Sequence, residues 1–185
     1  MNDTPNTDPM AEDFFGRDKE LAYLEKAFVS NKTEFIPIYG RRRVGKSELI
    51  RHFCKDKTHV YLMGKQALAE IQISEFLNEG ARQLQQPLLA ETHVRDWKKA
   101  FQLLISHKKK GQKLVLVLDE FQWLAAASPE LPSLLQEFLD TEWKKSRDIF
   151  LILCGSYLGF MEKEVLGEKS PLFGRRSGQI FLKPF

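Results

Sequence analysis

Long apolar runs are missing from this sequence, and cysteine and histidine are scarce. It has two cysteines and four histidines in 185 residues, and neither Cys54 nor Cys154 has the spacing of a metal ligand. No apolar stretch approaches the roughly 20 residues that span a bilayer, and the polar, acidic start does not resemble a signal peptide. These absences predict buried free thiols in a reducing cytoplasm, no zinc-type site and no membrane partner.

A large excess of charge of one sign is also missing, since the formal net charge is +3. This value does not require a nucleic-acid partner. Basic residues nevertheless cluster at Arg41–Arg43, Lys108–Lys110 and Arg175–Arg176, so that a local contact with nucleic acid stays open. The hydrophobic share of 43% and the charged share of 29% are those of an ordinary globular protein.

The chain has the length of one domain, and a domain of this size buries roughly 70% of the surface of its unfolded chain. Residues 1–12 are rich in Asn, Asp, Thr and Pro and have no apolar periodicity, which predicts a disordered tail. Residues 13–185 then form a single domain. Its first helix is predicted from Asp18 to Phe28, with Asp18 as the N-cap.

Apolar runs of strand length alternate with segments of helical period. The runs, of which the last is the weakest, are Phe35–Tyr39, His59–Met63, Leu114–Leu118, Ile149–Leu153 and Gln179–Leu182. The helical segments between them include Ser47–Phe53, Ala67–Leu84, Val94–His107, Leu131–Trp143 and Leu158–Val165. This alternation predicts an α/β fold whose parallel sheet is covered on both faces. Pro37 argues against a central position for the first strand, because proline has no N–H to donate to a neighbouring strand.

A phosphate-binding motif of the form GxxxxGK[ST] follows the first run directly and precedes a helical segment. Its glycines permit a tight backbone path, and the next helix presents its positive end to the same anion. Lys46 is expected to reach the β- and γ-phosphates of ATP, and the Ser47 hydroxyl to bind Mg²⁺. The alternative, a basic turn that binds nothing, does not account for the flanking strand and helix. The predicted nucleotide-binding segment is Gly40, Arg41, Arg42, Arg43, Val44, Gly45, Lys46, Ser47 and Glu48.

Arg41, Arg42 and Arg43 occupy variable positions of this loop. Side chains there point away from the phosphates more often than toward them. Contacts with a partner, with nucleic acid or with an acidic loop stay open, beside simple solvent exposure or a salt bridge.

Two adjacent carboxylates, Asp119 and Glu120, end the third apolar run. Such a pair is costly unless a cation is near. We expect Asp119 to hold Mg²⁺ and Glu120 to orient the attacking water. The alternative is an ordinary acidic strand end. The position of the pair after the phosphate-binding motif argues against this alternative. The pair favours hydrolysis over phosphotransfer to a small molecule.

Ser156 follows the fourth run, at the same edge of the predicted sheet. Its hydroxyl could contact the γ-phosphate or the lytic water. Ser156 could equally cap the helix that follows, and the two roles are compatible.

In combination, these motifs resemble the prokaryotic and archaeal P-loop ATPases of the AAA+/STAND group. The matching segments are Phe15-Gly16-Arg17 with Glu20-Leu21, Ile38-Tyr39 with the P-loop, Leu118–Leu124, Cys154-Gly155-Ser156 and Ser170–Arg176. The resemblance implies a three-layer sandwich with five parallel strands in the order 5-1-4-3-2. It also implies that Phe15, Gly16 and Arg17 lie near the adenine.

The resemblance further implies an ATP-hydrolysing switch, and it covers the ATPase core alone. The helical lid and winged-helix region of the group are expected to be absent from this chain, which ends just after the fifth strand. An arginine in the region of Arg175 can act on a nucleotide across a subunit boundary in such ATPases, although Arg175 and Arg176 also suit a solvated surface. A homo-oligomer, a protein partner, a nucleotide-binding module with little hydrolysis and a DNA-associated ATPase stay open.

Overall fold

A computed structural model describes residues 16–185, and it contains one sheet of five parallel strands in the order β2-β3-β4-β1-β5. The strands are β1 Glu34–Tyr39, β2 His59–Met63, β3 Leu114–Asp119, β4 Ile149–Gly155 and β5 Ile180–Phe181. The predicted α/β class and strand order are confirmed. The predicted disordered tail, residues 1–12, and Phe15 lie outside the described residues.

Helices cover both faces of this sheet. They are α1 Asp18–Phe28, α2 Lys46–Cys54, α3 Ala69–Leu84, α4 Leu88–Glu91, α5 Trp97–Ser106, α6 Phe121–Ala127, α7 Leu131–Asp140, α8 Glu142–Ser146 and α9 Leu158–Phe160, with a π-helical turn at Met161–Val165. None of the helices in the described part of the chain is long and apolar enough to cross a membrane.

Several helical details differ from the sequence predictions, among them the short helix α4, which was not predicted. Asp18 is the first residue inside α1, and Arg17 occupies the N-cap position without a side-chain cap bond. The segment predicted as one helix from Leu131 is two, because Thr141 has φ −124° and ψ −96° and interrupts it. Helix α6 was not predicted, since its residues follow β3 without a turn signal in the sequence.

The strand residues alternate between two separate apolar layers. Leu116 and Leu118 of β3 pack in the larger layer, under α3 to α8. Val115 and Val117 pack in the smaller layer, under α1 and α2. Asp119 continues this second series, because side chains two residues apart in a strand lie on the same face. The end of β3 therefore directs a carboxylate to the face that carries α2.

Pro37 lies within β1, yet its missing N–H removes no strand-to-strand bond. Backbone groups two residues apart in a strand point to the same side, so Pro37 faces the same neighbour as Phe35. Phe35 exchanges hydrogen bonds with Ser177, outside β5. Pairing of β1 with β5 begins only at Ile38. The proline thus lies in a gap between these two contacts.

Both cysteines are free and buried, as the sequence predicts. Burial raises the pKa of the Cys54 thiol to about 12. Burial, followed by the nearby charge of Asp119, raises the pKa of Cys154 as well. Both thiols therefore remain protonated at neutral pH.

An aromatic cluster holds the larger layer together. The Phe101 ring packs edge-on against Phe76, Phe138 and Trp143, with centroid distances of 5.2, 5.7 and 5.6 Å. It also lies 5.5 Å from Trp97. Edge-to-face pairs of this kind add to the free energy gained from burial alone. Phe101 therefore joins α3, α5, α7 and α8 at one point.

Replacing Phe101 by alanine should lower the free energy of unfolding by roughly 3–5 kcal/mol, because it leaves a cavity that the surrounding rings fill only in part. Urea denaturation followed by tryptophan fluorescence measures this change. Val29→Ala is the control, since Val29 is 78% exposed and its truncation should change stability by less than about 0.5 kcal/mol. Equal losses in the two variants would contradict the central role of Phe101.

Candidate active site

The loop between β1 and α2 needs its two glycines for different reasons. Gly40 has φ +154°, and a Cβ atom there would approach the carbonyl oxygen of Leu182 to 2.3 Å. Gly45 has φ +90° and is the N-cap of α2, with no atom near its missing side chain. Close packing thus requires Gly40, and the backbone conformation requires Gly45.

Lys46, the first residue of α2, turns its ammonium group back into this loop. Its Nζ donates hydrogen bonds to the carbonyl oxygens of Gly40 at 2.8 Å and Arg41 at 2.7 Å. Phosphate oxygens are stronger acceptors than these neutral carbonyls. The positive end of α2 faces the same space. The loop can therefore offer a cation and helix N–H groups to a polyphosphate.

The two predicted metal ligands lie together. Ser47 Oγ donates to Asp119 Oδ2 at 2.7 Å, and Asp119 is fully buried. The backbone N–H of Glu120 donates to Asp119 Oδ1, also at 2.7 Å. A hydroxyl and a carboxylate are hard oxygen ligands, which suit Mg²⁺.

This ligand set is small. Within residues 16–185, no group of three or more His, Cys, Asp or Glu side chains could hold a metal ion by itself. Mg²⁺ commonly keeps several waters and takes only one or two protein ligands beside the phosphates. The pair Ser47 and Asp119 fits a cation that arrives with a nucleotide.

Glu120 follows directly and adopts a left-handed backbone conformation, with φ +49° and ψ +48°. Its carboxylate accepts hydrogen bonds from Ser156 Oγ, 3.1 Å from each oxygen, and from the amide of Gln122. Helix α9 begins after Tyr157 and receives no side-chain cap bond. Ser156 therefore contacts Glu120 and does not cap the helix. Strained backbone of this kind is concentrated at functional sites.

The remaining loop residues differ in environment. The side chains of Arg41, Arg42 and Arg43 are exposed, and within residues 16–185 none of the three makes a side-chain hydrogen bond or ion pair. Val44 is buried in the smaller layer. Glu48 is exposed in the first turn of α2.

Arg17 lies against the back of the loop. Its Nη2 donates to the carbonyl oxygens of Val44 at 3.0 Å and Lys183 at 2.7 Å. Its guanidinium stacks on the Phe185 ring, 4.1 Å from the centroid, and the same ring covers Gly16. Arg17 therefore joins the loop, the start of α1 and the chain after β5.

Arg175 is not brought to the loop of its own chain. Its guanidinium pairs with Asp140 at the end of α7, with N–O distances of 3.2 and 3.3 Å. These two residues line a cleft with Asn31 and Thr33, which precede β1, whereas the loop follows β1. Arg176 donates to the carbonyl oxygen of Leu166. Action of Arg175 on another subunit stays a prediction.

Residues 14–185 match a family described as an ATPase domain predominantly from Archaea. This chain belongs to that family. An uncharacterised protein of Methanocaldococcus jannaschii is 33% identical over 171 residues, which are 92% of this chain and 36% of the relative.

Solved structures share the fold. The Walker-type ATPase of Pyrococcus abyssi has a TM-score of 0.72 at 23% identity, over 95% of this chain and 55% of that one. The Orc2 protein of Aeropyrum pernix, solved as ADPNP and ADP complexes, has a TM-score of 0.61 at 19% identity, over 97% of this chain and 50% of that one. The chain shares the fold of these two structures and spans about half of each of them.

Three residues of this archaeal ATPase domain contact the site but were not among the site residues predicted from the sequence. Tyr61 donates a hydrogen bond to Asp119 Oδ2, Gln122 contacts Glu120, and Cys154 lies beside Asp119. Tyr61 and Cys154 could have been found from strand alternation, which places them on the α2 face. The Gln122 contact depends on the left-handed turn at Glu120, which no sequence pattern announces.

Gly40→Ala should weaken both folding and nucleotide binding, because the new Cβ atom would collide with the Leu182 carbonyl. We expect a loss of roughly 1–3 kcal/mol in the free energy of unfolding and a large loss of ATP affinity. Urea denaturation and titration with a fluorescent nucleotide measure the two effects. Gly159→Ala is the control, since no atom lies within 4 Å of its missing side chain and its φ is not positive. Wild-type behaviour of both variants would refute this role of Gly40.

Proposed function

We propose that this domain binds ATP together with Mg²⁺ and hydrolyses it, so that the bound nucleotide acts as a conformational switch. The observation that carries the proposal is the Glu120 carboxylate, which lies next in the chain to Asp119, the hydrogen-bond partner of Ser47. A phosphate-binding loop, a metal-holding pair and a second carboxylate are the parts that hydrolysis needs. The two buried free thiols suit a reducing cytoplasm.

Binding begins at the loop. Lys46 would exchange its two carbonyl acceptors for phosphate oxygens, while the N–H groups at the start of α2 bind the same anion. Ser47 and Asp119 would hold Mg²⁺, which neutralises charge on the phosphate oxygens when it is bound. Arg17 keeps the loop in place from behind through the Val44 carbonyl.

Glu120 would orient the attacking water and accept its proton. The carboxylate must then face the γ-phosphate side, and Ser156 and Gln122 are the groups that hold it. A rotation that releases one of these bonds would free an oxygen for the water. Ser156 could then turn its hydroxyl to the water or to the γ-phosphate, as the sequence predicts.

Slow hydrolysis fits the same contacts. While Ser156 and Gln122 bind Glu120, its lone pairs are less available to a water molecule. We therefore favour a slow switch of the STAND kind, which changes its partner interactions with the nucleotide state. The alternative is a binding module with little hydrolysis, in which these contacts persist.

A homo-oligomer would give Arg175 a function. Arg175 lies with the segment that precedes β1, away from the loop of its own chain, so it could act only on the nucleotide of a neighbouring copy. To reach the nucleotide of that neighbour, Arg175 would either break its bond to Asp140 or be held in the right orientation by it. A fixed arginine in such a position stabilises charge in the transition state.

Glu120→Gln should lower kcat by roughly 10²–10⁴-fold, because the amide cannot accept a proton. Affinity for ATP should change little, since the amide remains near its hydrogen-bond partners. Phosphate release and nucleotide titration, each with and without Mg²⁺, separate the two effects. The matched control is Glu168→Gln at an exposed position. If the wild type and Glu120→Gln hydrolyse ATP equally slowly while both bind it, the domain is a binding module.

A DNA-associated ATPase is a second candidate, because three exposed arginines have no partner within the described residues. Binding of duplex DNA should then weaken between about 50 and 200 mM salt, with a slope of roughly −0.9 per phosphate contact. Replacing Arg42 and Arg43 by glutamine should reduce that slope, as measured by fluorescence anisotropy. Replacing Lys144 and Lys145 by glutamine is the control, since both are exposed and lie outside the basic clusters named above. An absence of binding at low salt would eliminate this candidate.

A further inference from the structure

Tyr61 lies outside every motif discussed so far, yet it contacts the centre of the site. It belongs to β2, whose neighbour in the sheet is β3, and its register partner is Val117. Paired residues of parallel strands place their side chains on the same face. Tyr61, Val117 and Asp119 therefore share the face that carries α2, and the Tyr61 ring extends along it toward the carboxyl end of β3.

The Tyr61 hydroxyl donates a hydrogen bond to Asp119 Oδ2, the same oxygen that accepts from Ser47. The other oxygen, Oδ1, accepts from the backbone N–H of Glu120. Two donors from other elements and the N–H of the next residue in the chain thus hold both oxygens of one buried carboxylate. Because a planar group held at both ends cannot rotate, these bonds define the orientation of Asp119.

A phenol is protonated at neutral pH, so the Tyr61 hydroxyl is available as a donor. On its outer side the ring lies under the guanidinium of Arg51 in α2, 5.3 Å from the ring centroid. Tyr61 is therefore fixed between α2 and β3.

We propose that Tyr61 is a positioning residue for the cation of the nucleotide, acting through Asp119. The proposal rests on the function proposed above. Groups that orient a metal ligand from behind contribute strongly to metal affinity, typically 10- to 100-fold. Tyr61 would supply this support from a strand that contributes none of the motif residues.

The test uses Tyr61→Phe, which removes the hydroxyl and keeps the ring. The dissociation constant of ADP is measured by fluorescent-nucleotide titration in excess EDTA and again in Mg²⁺. The dissociation constant in EDTA divided by that in Mg²⁺ reports how strongly the cation strengthens ADP binding. We expect this ratio to fall about 10-fold in Tyr61→Phe, while the EDTA value stays the same. The Mg²⁺ concentration for half-maximal effect should rise by a similar factor.

Tyr23→Phe is the matched control, because Tyr23 lies on α1 and is 41% exposed. A purely structural role of Tyr61 would weaken ADP binding equally in EDTA and in Mg²⁺, leave the ratio unchanged and so overturn the proposal. Adding Tyr61→Phe to Asp119→Asn should change the ratio no further, whereas an independent second effect would also overturn it. If the wild type itself shows no effect of Mg²⁺ on ADP binding, the proposed function fails first, together with this inference.

Discussion

The buried carboxylate of Asp119 is the group on which the geometry of the site depends. It stands at the end of a fully buried strand, where an ionised group is costly unless donors surround it. Ser47 supplies one donor from α2, and Tyr61 supplies another from β2. These bonds connect the phosphate-binding loop to the sheet, so that the loop and the predicted metal ligands are positioned as one unit.

The division of the core into two layers explains how such a site can be tolerated. The larger layer contains the aromatic cluster around Phe101 and packs six helices, α3 to α8, against the sheet. The smaller layer lies under only α1 and α2, and the polar groups of the site collect at its open edge. Burial of apolar surface on the first face can therefore offset the strained backbone at Glu120 on the second.

Arg17 connects the loop to the residues that follow β5. Arg17 holds the Val44 carbonyl of the loop and the Lys183 carbonyl beyond β5 with the same nitrogen. A conformational change in the loop would therefore shift Arg17 and, through it, the residues that follow β5. The resemblance placed Arg17 near the adenine; in the structure its guanidinium contacts protein carbonyls and the ring of Phe185.

Much of the fold and of the phosphate-binding loop could be predicted from the sequence, because both depend on short-range patterns. Apolar runs and helical periods define the elements, and the positions of Gly40, Gly45, Lys46 and Ser47 follow one another directly in the chain. The approach of Asp119 to Ser47 could also be expected, since the carboxyl ends of parallel strands meet at one edge.

Contacts between distant side chains were decided only by the tertiary structure. The hold of Ser156 on Glu120 depends on a left-handed turn, and the bond from Tyr61 depends on the register of β2 against β3. The position of Arg175 beside Asp140 likewise follows from packing. The sequence determined which chemical groups are present and the order of the elements. Long-range packing decided which of those groups meet, because no local pattern records the partner of a side chain from another element.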